Sequence, residues 1–382
     1  MGPTEELTLS IDGNMCQHNG PTDQRQDYGL RLAHYEKPVL GEIMFKAPVR
    51  LESRAIIYRL LVVVSALWFT VACTTGGGTK SPDVISQDVR HALFKEWQII
   101  DTTTGQPVSL DQWTSLLLQQ DIIYLGEEHH NRFHIEAAIA ILRRLNAEGR
   151  TPVLGMEMFG WDGQAALDRY VFGSEMTRQE FLQAVKWNQN WGGPYEDYEP
   201  LIQLAKEHHW AVDAMNPPKP LVRIVAKNGL AQARVDPMMG EWGMRDELIA
   251  DDPIYRARIL EQLHACHSGG ADSFYQTMFE ASMVRDEGMA KTLVHRLNQI
   301  RSGSDRTAGP LVSYTGSGHI QYNLPVPKRV ARRLADQVRQ ISIFMTSFEV
   351  GRIEEFQNMT REKIADYLWL TPVSAKGPPR RC

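Results

Sequence analysis

The sequence predicts an α/β fold, in which a mainly parallel sheet is flanked by helices and a helical insertion forms a cap or subdomain. Short apolar runs of the buried-strand kind alternate with segments whose apolar residues recur at helical spacing. Such alternation is typical of a parallel sheet covered by helices on both faces. Apolar residues make up 43% of the 382 residues and charged residues 23%, which is ordinary for a globular domain with a core.

Each predicted element follows from its own segment of sequence. The run at 121–126 (DIIYLG) is short and apolar, and the apolar residues from 135 to 145 then fall on one helix face. The predicted strands are 121–126, 152–159, 210–215, 310–315 and 342–350, and the predicted helices include 164–170, 181–186, 197–207, 254–263, 274–300 and 328–338. The mostly helical stretch 218–308 is the predicted insertion.

The beginning of the chain has the pattern of an export signal. Residues 1–43 are polar and aperiodic, which predicts a disordered extension or a mis-assigned start. Residues 44–73 combine basic residues, an apolar run shorter than the roughly 20 residues of a membrane span, and Cys73. This pattern predicts a lipoprotein signal peptide lipidated at Cys73, with 74–94 as a tether. Thr70 departs from that pattern, so ordinary cleavage or an uncleaved anchor stay open.

The same signal predicts an exported protein of the bacterial cell envelope, an outer-membrane lipoprotein facing the periplasm. Beyond the tether, one α/β domain is expected over 95–350 and a C-terminal tail over 351–382. The net charge of −5 gives no reason to expect nucleic-acid binding, and the basic run at 328–333 is interpreted as a solvated helix face. The four cysteines match neither a zinc ribbon nor a disulfide framework.

Polar residues stand where the predicted strands end. Glu127 and His129 follow the first strand, Glu157 lies in the second, Asn216 follows the third and His319 follows the fourth. Ligands of open α/β sheets bind outside the carboxyl ends of the strands, so these side chains are expected to converge on one cavity. Glu157 is the most informative, because a carboxylate in an apolar strand must be paired, metal-bound or protonated.

These residues belong to motifs that resemble the ChaN family of haem-binding lipoproteins, in the superfamily of Tiki/TraB proteins and erythromycin esterases. The superfamily hallmark is a Gly-x-x-His, a following Glu and a second Gly-x-x-His, here Gly126/His129, Glu157 and Gly316/His319. The matching segments, within about 95–335, are 125–129, His134, 157–159, 216–217, 285–290 and 316–319. The resemblance implies a haem cofactor and a role in haem acquisition, in agreement with the lipid-anchor signal.

Three kinds of chemistry stay open for this cluster. As catalytic residues of a hydrolase, Glu127, His129, Glu157 and His319 could work with a divalent metal ion held by His129, Glu157 and His319, as the Tiki branch implies. Without metal, Glu127 or Glu157 would orient His129 as a general base toward water, as the esterase branch implies. In the third interpretation the cluster is a vestigial scaffold, and haem binds elsewhere on the domain.

No motif selects an axial ligand for haem, which must be His, Tyr, Met or Cys. The predicted cofactor-binding residues are Tyr195, Tyr198, Asn216 and Arg285. Arg285 would neutralise a propionate or substrate carboxylate, unless it forms an ion pair within its helix. The aromatic residues that line a pocket for a planar ligand, or else form core, are Trp187, Trp191, Tyr195 and Tyr198. The other candidate axial ligands are His208, His209, His264, His267 and Cys266.

The sequence therefore predicts a lipid-anchored protein that binds haem, and it leaves enzymatic activity undecided. One alternative is a metal-dependent or Glu/His hydrolase of the protease or esterase kind. Another is a membrane-anchored protein-interaction module that uses the helical insertion. The predicted partners are haem or another small molecule and the membrane through the anchor, without nucleic acid. The sequence leaves a homodimer open.

Overall fold

A computed structural model describes residues 94–173, 175–267 and 269–375 of the chain. The predicted extension 1–43, the predicted signal 44–73 with Cys73, and the predicted tether up to residue 93 therefore lie outside the described residues. No helix in the described part combines the length and the apolar character that a membrane crossing needs.

The described residues form one sheet of eight strands. The strands are β1 Ile99–Asp101, β2 Gln106–Pro107, β3 Ile122–Glu127, β4 Thr151–Gly160, β5 Val212–Asn216, β6 Ala308–Gly316, β7 Gln340–Ser347 and β8 Tyr367–Thr371. Their order across the sheet is β2-β1-β8-β7-β3-β6-β4-β5. Neighbours from β8 to β5 pair in parallel, whereas β1 runs antiparallel to both β8 and β2. The sheet is therefore mainly parallel, as predicted.

Helices connect the strands and cover the sheet. They are α1 Leu110–Leu117, α2 Arg132–Ala147, α3 Gln164–Phe172, α4 Arg178–Ala184, α5 Trp187–Asn190, α6 Glu199–His208, α7 Lys219–Asn228, α8 Leu230–Ala233, α9 Pro237–Glu241, α10 Pro253–Cys266, α11 Asp272–Ser302, α12 Val326–Arg333 and α13 Ile353–Arg361. Short 3₁₀ turns cover Trp161–Gly163, Tyr195–Asp197, Ser317–His319, Gln321–Asn323 and Val350–Arg352. The five helices α7 to α11 lie between β5 and β6, where the helical insertion is predicted.

Alternate residues of the central strands pack on opposite faces of the sheet, because successive side chains of a strand point to opposite sides. On β3, Ile123 and Leu125 belong to the core under α2, α3 and α6, whereas Ile122 and Tyr124 belong to the core under α11 and α12. A buried strand of this kind needs apolar residues on both faces, which explains the continuous apolar run in the sequence.

The helix α11 connects the insertion to the sheet. In its first half, Tyr275 and Phe279 belong to the core of the insertion. In its second half, Met289 and Leu293 belong to the core that packs on the sheet. At 31 residues the helix is about 46 Å long, which is long enough to serve both cores. Its buried polar residues therefore lie where the insertion and the strand ends meet.

All five predicted strands are confirmed, with ends shifted by one to three residues. Strands β1, β2 and β8 are not among the predicted strands, and β1 and β2 contain only three and two residues. The predicted tail from residue 351 needs correction, because it contains α13 and β8. Since β8 pairs with both β7 and β1, it lies inside the sheet, and residue 350 is not a domain boundary.

The interpretation of the basic run at 328–333 as a solvated face is wrong for most of its residues. Arg329 is buried, and its Nε lies 3.3 Å from Oε1 of the fully buried Glu287 on α11. Arg332 and Arg333 also bond to the Glu287 carboxylate, at 2.7 and 2.8 Å. Only Lys328 has a half-exposed side chain, paired with Asp252. The three arginines of α12 are thus ion-pair partners of a buried carboxylate.

Candidate functional site

The strand-end cluster consists of Glu127, His129, Glu157 and His319, and the structure brings all four together at the carboxyl edge of the sheet. Nδ1 of His129 lies 2.8 Å from Oε1 of Glu127, and Nε2 of His319 lies 3.2 Å from Oε1 of Glu157. Asn216 joins them by donating from Nδ2 to the Glu157 backbone carbonyl at 2.6 Å. The predicted convergence of these side chains is thus present in the structure, while their roles stay predictions.

Glu127 holds His129 in a fixed orientation. Its carboxylate also accepts hydrogen bonds from the hydroxyls of Tyr198, at 2.9 Å, and Tyr314, at 2.7 Å. Burial acts to lower the pKa of His129, but the Glu127 carboxylate outweighs this effect and raises the pKa above its usual value. Both carboxylate oxygens of Glu127 are therefore engaged with donors, and these contacts fix the orientation of the His129 ring.

Glu157 is surrounded by partners from the protein itself. Its Oε1 is bonded by Arg285, and its Oε2 accepts from the Thr315 hydroxyl and the Gly316 backbone N–H, both at 2.6 Å. Burial alone would raise the pKa of Glu157, yet the adjacent cations His319 and Arg285 hold it well below the usual range. Glu157 is therefore a buried carboxylate ion that is stabilised by two cations and two further hydrogen bonds.

His319 lies between two carboxylates. Its Nδ1 is 2.5 Å from Oδ1 of Asp286, and the Tyr255 hydroxyl donates to the other oxygen of Asp286 at 2.6 Å. Burial acts to lower the pKa of His319, but Glu157 and Asp286 raise it to about 9. The imidazole is thus protonated at neutral pH and forms the cationic bridge between β4 and α11.

The two Gly-x-x-His motifs pack directly against each other, and their glycines make this possible. A Cβ added at Gly126 would lie 2.6 Å from Cδ1 of Ile320 and 2.9 Å from Cα of Ser317. A Cβ added at Gly316 would lie 2.8 Å from Cε1 of His129. Each glycine of one motif therefore leaves room for a residue of the other.

One atom of the cluster has no hydrogen-bond partner within the described residues. Nε2 of His129 is buried and unpartnered, and it faces Gly316 and Glu157. Because Glu127 accepts at Nδ1, the proton of a neutral ring is assigned to Nδ1, and Nε2 then carries the lone pair. A neutral imidazole with an oriented, unused nitrogen is the arrangement of a general base.

The segment 285–288 of α11 supplies several partners of the cluster that were not predicted from the sequence. Arg285 pairs with Glu157 rather than within its helix, and Asp286 pairs with His319. A Cβ added at Gly288 would collide with the ring of Pro217, so this glycine lets α11 pass close to the end of β5. The sequence of residues 285–288, RDEG, could have indicated that this segment belongs to the site, because three consecutive charged residues are rarely buried in a helix.

Glu128 and His134 fix the turn after β3 to β7. The Glu128 carboxylate accepts from the hydroxyls of Thr346, at 2.5 Å, and Ser347, at 2.7 Å. His134 is fully buried, accepts at Nδ1 from the Glu128 backbone N–H at 2.9 Å, and has its pKa lowered by burial. Both residues therefore have structural partners on both sides of the turn.

The predicted haem-contacting tyrosines are core residues. Tyr198 is fully buried, and its hydroxyl is engaged with Glu127 and the His130 backbone N–H. Tyr195 is buried with Phe181 and Trp187 against its ring, and burial raises its pKa. Of the two interpretations of these aromatic residues, core packing is the one that the structure shows, and neither phenol oxygen is exposed to a ligand.

A second histidine–carboxylate pair lies beside the cluster. Nδ1 of His130 is 2.8 Å from Oδ2 of Asp197, and burial lowers the pKa of His130 despite that carboxylate. The His130 ring contacts the edges of Tyr198 and Trp191, with centroid distances of 5.4 and 6.4 Å. Neither His130 nor Asp197 is among the site residues predicted from the sequence.

The predicted metal ligands do not form a metal site in this arrangement. Of the three, Glu157 and His319 bond to each other and to Arg285 and Asp286. In the described ranges there is no group of three or more His, Cys, Asp or Glu side chains arranged to hold a metal ion.

The fold and the site define a class of protein: a mainly parallel α/β domain that carries two Gly-x-x-His motifs and a buried glutamate at its carboxyl edge. Residues 113–330, more than half of the chain, match the family described as "Haem-binding uptake, Tiki superfamily, ChaN", and the chain belongs to this family. The match includes both Gly-x-x-His motifs and Glu157, so the predicted resemblance is confirmed.

Solved structures with a similar fold include a ChaN of Campylobacter jejuni with cofacial haem binding. It is 17% identical, with a TM-score of 0.54, and the match covers 72% of this chain and 96% of that chain. An erythromycin esterase in an open conformation is 14% identical, with a TM-score of 0.36 and coverages of 66% and 77%. A Bacillus cereus protein is 13% identical, with a TM-score of 0.35 and coverages of 69% and 74%. No curated protein matches the sequence.

Proposed function

We propose that this protein binds haem and takes part in haem or iron acquisition at the bacterial envelope, held there by a lipid on Cys73. The observation that carries the haem assignment is the family match over residues 113–330. The envelope location is supported by the lipoprotein pattern of residues 44–73.

The haem surface is separate from the strand-end cluster in this proposal. Glu157 is saturated by Arg285, His319, Thr315 and Gly316, and the His129 side chain is only 4% exposed. A porphyrin is much wider than an imidazole ring. The iron of a bound haem therefore cannot come within bonding distance of the buried His129 unless the edge of the sheet repacks. The cluster then serves as the scaffold that holds β3, β4, β6 and α11 together.

The substitution Glu157→Gln tests this separation, because it keeps the shape of the side chain and removes its charge. We expect the variant to keep the haem absorption spectrum and the haem affinity of the wild type within about twofold, since carboxylates are not among the usual axial ligands. The measurement is a haem titration followed at the Soret band, with circular dichroism to verify the fold. Thr315→Val, which removes one hydrogen bond to the same carboxylate, is the milder matched variant.

Two results would contradict this picture. A folded Glu157→Gln protein that loses haem would make the strand-end cavity itself the haem site. A wild-type protein that gives no Soret band with haem would overturn the proposed function.

Hydrolysis is the second candidate function, and the unpartnered Nε2 of His129 favours it. In this reaction Nε2 of His129 would take a proton from water while the water oxygen attacks an ester or amide carbonyl, and Glu127 would hold Nδ1. The protonated imidazole would then give its proton to the alcohol or amine that leaves as the carbonyl C–O or C–N bond breaks. If the cluster works in this way, Glu157→Gln abolishes hydrolysis of model esters and peptides while haem binding persists. Metal analysis of the same sample separates a metal-dependent from a metal-free hydrolase. A protein with neither haem binding nor hydrolysis would support the membrane-anchored interaction module.

A further inference from the structure

We propose that Trp97, Phe133 and Val350 form a membrane-contact surface, which rests on the lipid bilayer that holds the acylated Cys73. The inference rests on the proposed lipid anchor. It adds the face of the domain that meets the bilayer, which neither the anchor nor the haem assignment specifies.

The three residues stand at the carboxyl ends of three neighbouring strands, β8, β7 and β3. The Trp97 backbone N–H donates to the carbonyl of the penultimate residue of β8 at 2.7 Å. Val350 follows the end of β7 by three residues, and Phe133 is the second residue of α2, which follows β3. Nδ2 of Asn131 donates to the Ser347 hydroxyl at 3.0 Å and so ties the start of α2 to the end of β7. The three apolar residues therefore occupy neighbouring positions along one edge of the sheet.

The membrane-contact surface exposes large apolar side chains to the solvent. Trp97 is 45% exposed and Val350 is 68% exposed. Phe133 is half-buried, and its ring meets the Trp97 ring edge-on, with the centroids 5.9 Å apart. Removing a large aromatic side chain from water is favourable, and grouped exposed apolar residues mark contact sites for proteins or membranes. The exposed aromatic pair therefore indicates a contact surface.

The backbone keeps Trp97 exposed in an uncommon conformation. Its φ of 63° lies in the left-handed region, which few residues other than glycine adopt. Such a conformation persists only where the surrounding structure fixes it, and residues of this kind cluster at functional sites. Here the hydrogen bond to β8 fixes one side of Trp97, and the Phe94 ring, 6.1 Å from the Phe356 ring in the core, fixes the chain just before it. The exposed ring is therefore held in place by the fold.

The residue types at this surface are those found where proteins meet the headgroup region of a bilayer. Tryptophan is enriched there, because its ring is apolar while its N–H can stay hydrated. The mostly exposed Arg132 places its guanidinium 5.1 Å from the Phe133 ring centroid, and such side chains bury their stem while the charge stays in water. Arg132 also pairs with Glu136, so the rings rather than a net charge supply the attraction.

The covalent path to the proposed lipid begins beside the membrane-contact surface. Phe94, the first described residue, is three residues before Trp97. Residues 74–93 connect Phe94 to Cys73. A surface next to the attachment point meets the bilayer at a higher effective concentration than a surface on the far side of the domain. The position of the attachment point therefore favours this face.

The other end of the described chain leaves from the same edge of the sheet. Strand β8 ends at Thr371 and is parallel to β7, so its end lies at the carboxyl edge. Among the residues that follow, 376–382 contain Lys376, Arg380 and Arg381 and no acidic residue. Basic residues are attracted to anionic lipid headgroups. A bilayer is therefore the partner that agrees with the aromatic pair, the anchor and the basic charge together.

The test uses the full chain purified from membranes and reconstituted into vesicles of phosphatidylethanolamine and phosphatidylglycerol. Tryptophan fluorescence is compared with and without brominated acyl chains, which quench a tryptophan that reaches the lipid. We expect Trp97→Phe to lose most of the quenching of the wild type, because it removes the emitting ring and keeps an apolar side chain. Trp210→Phe is the matched control, because Trp210 is buried just before β5 at the amino edge. Its fluorescence lost to brominated lipid should equal that of the wild type.

Val350→Asp tests the extent of the membrane-contact surface along β7. The substitution puts a charge on an exposed position and leaves Trp97 in place as the reporter. Because binding to a bilayer increases with the apolar area that is buried, the quenching should fall at least about twofold. Circular dichroism verifies that the fold is kept. An unchanged value would contradict the placement of Val350 in the surface.

The outcomes separate the surface from the anchor on which it rests. Mass spectrometry determines whether Cys73 carries acyl chains. An acylated Cys73 with equal quenching in the wild type and Trp97→Phe overturns the surface and leaves the anchor. If Cys73 carries no lipid, the anchor is overturned, and quenching that still depends on Trp97 supports the surface alone. A protein with neither property overturns both.

A second copy of the chain is the other possible occupant of this surface. Sedimentation of the wild type and of Trp97→Ser distinguishes it from the bilayer. A dimer that dissociates in Trp97→Ser, together with a Trp97 that brominated lipid does not quench, would assign the surface to contact between two copies and overturn the bilayer contact. Quenching that depends on Trp97, with the same sedimentation for both proteins, supports the bilayer.

Discussion

At the scale of single residues, the site is a set of buried charges that compensate one another. Glu157 and Asp286 carry the negative charges, and Arg285 and His319 carry the positive ones. Removing one partner of a buried ion pair typically costs about 3–5 kcal/mol, because the other charge is left uncompensated. The four residues therefore act as a unit in which no single charge can change alone without a large cost.

The protonation of His319 predicts that the stability of the protein depends on pH. Its pKa is raised from 6.5 to about 9 in the folded protein, so its contribution to stability is complete below pH 6.5 and is lost as pH rises through 9. We expect the wild-type free energy of unfolding to fall by up to about 3 kcal/mol over that range. Urea unfolding at several pH values measures the change, and His319→Gln should flatten it. If the free energy of unfolding of His319→Gln fell with pH as steeply as that of the wild type, other groups would be responsible for the pH dependence.

At the scale of elements, the close contact between the two Gly-x-x-His motifs sets the geometry of the cluster. Gly126 lies against the turn Ser317–His319, and Gly316 lies against His129. In the parallel register between β3 and β6, Gly126 is paired with Thr315 and Glu127 with Gly316. The two motifs therefore meet as neighbouring strand ends, although they are far apart in the sequence.

This contact predicts that Gly126→Ala is destabilising. The added Cβ would lie 2.9 Å from the backbone of Ser317, which cannot move as a flexible side chain can. Overpacking of this kind costs about 1–3 kcal/mol. Gly318→Ala is the matched control, because nothing lies within 4 Å of its added Cβ, and it should show no loss. Chemical denaturation of both variants makes the comparison, and equal stabilities would refute the packing argument.

The sequence was sufficient for features that depend on local pattern. The apolar run of β3 and the glutamate inside β4 predicted a buried strand and a carboxylate that needs partners. The partners themselves could not be predicted, because Arg285 reaches Glu157 only through the position of α11 against the sheet. For the same reason the sequence predicted a surface position for Arg329, whereas its Nε lies 3.3 Å from the buried Glu287 carboxylate. Strand β1 has three residues, which is too short for the pattern of apolar residues from which a strand is predicted.

At the scale of the whole molecule, α11 and α12 join the insertion to the sheet through Glu287. This buried carboxylate accepts hydrogen bonds from Arg332 and Arg333 of α12 and lies 3.3 Å from Nε of Arg329. On the preceding residues of α11, Arg285 and Asp286 bond to the strand-end cluster. One stretch of helix therefore fixes α12, the insertion and the site at the same time.

Loss of the Glu287 charge should consequently destabilise the protein as a whole. Glu287→Gln leaves Arg329 and Arg332 without this counter-charge, while Arg333 keeps its pair with Glu247 at 2.8 Å. We expect a loss of about 3–5 kcal/mol in the free energy of unfolding. Glu136→Gln is the control, because Glu136 pairs with Arg132 on the exposed face of α2 and such pairs contribute about 0–1 kcal/mol. Denaturant titrations of both variants provide the measurement. Similar effects of the two substitutions would show that the buried network contributes no more than a surface pair.

The pairing of β3 with β6 also constrains when this protein can acquire its structure. Ile122 pairs with Leu311, and β8 at residues 367–371 completes the interior of the sheet. Contacts this distant in sequence form slowly, because a long loop must close before any bond is gained. A nascent chain that ends before residue 319 contains Glu127 and Glu157 but not the histidine that completes their surroundings. The polypeptide therefore stays without its native centre until β6 and His319 have been synthesised.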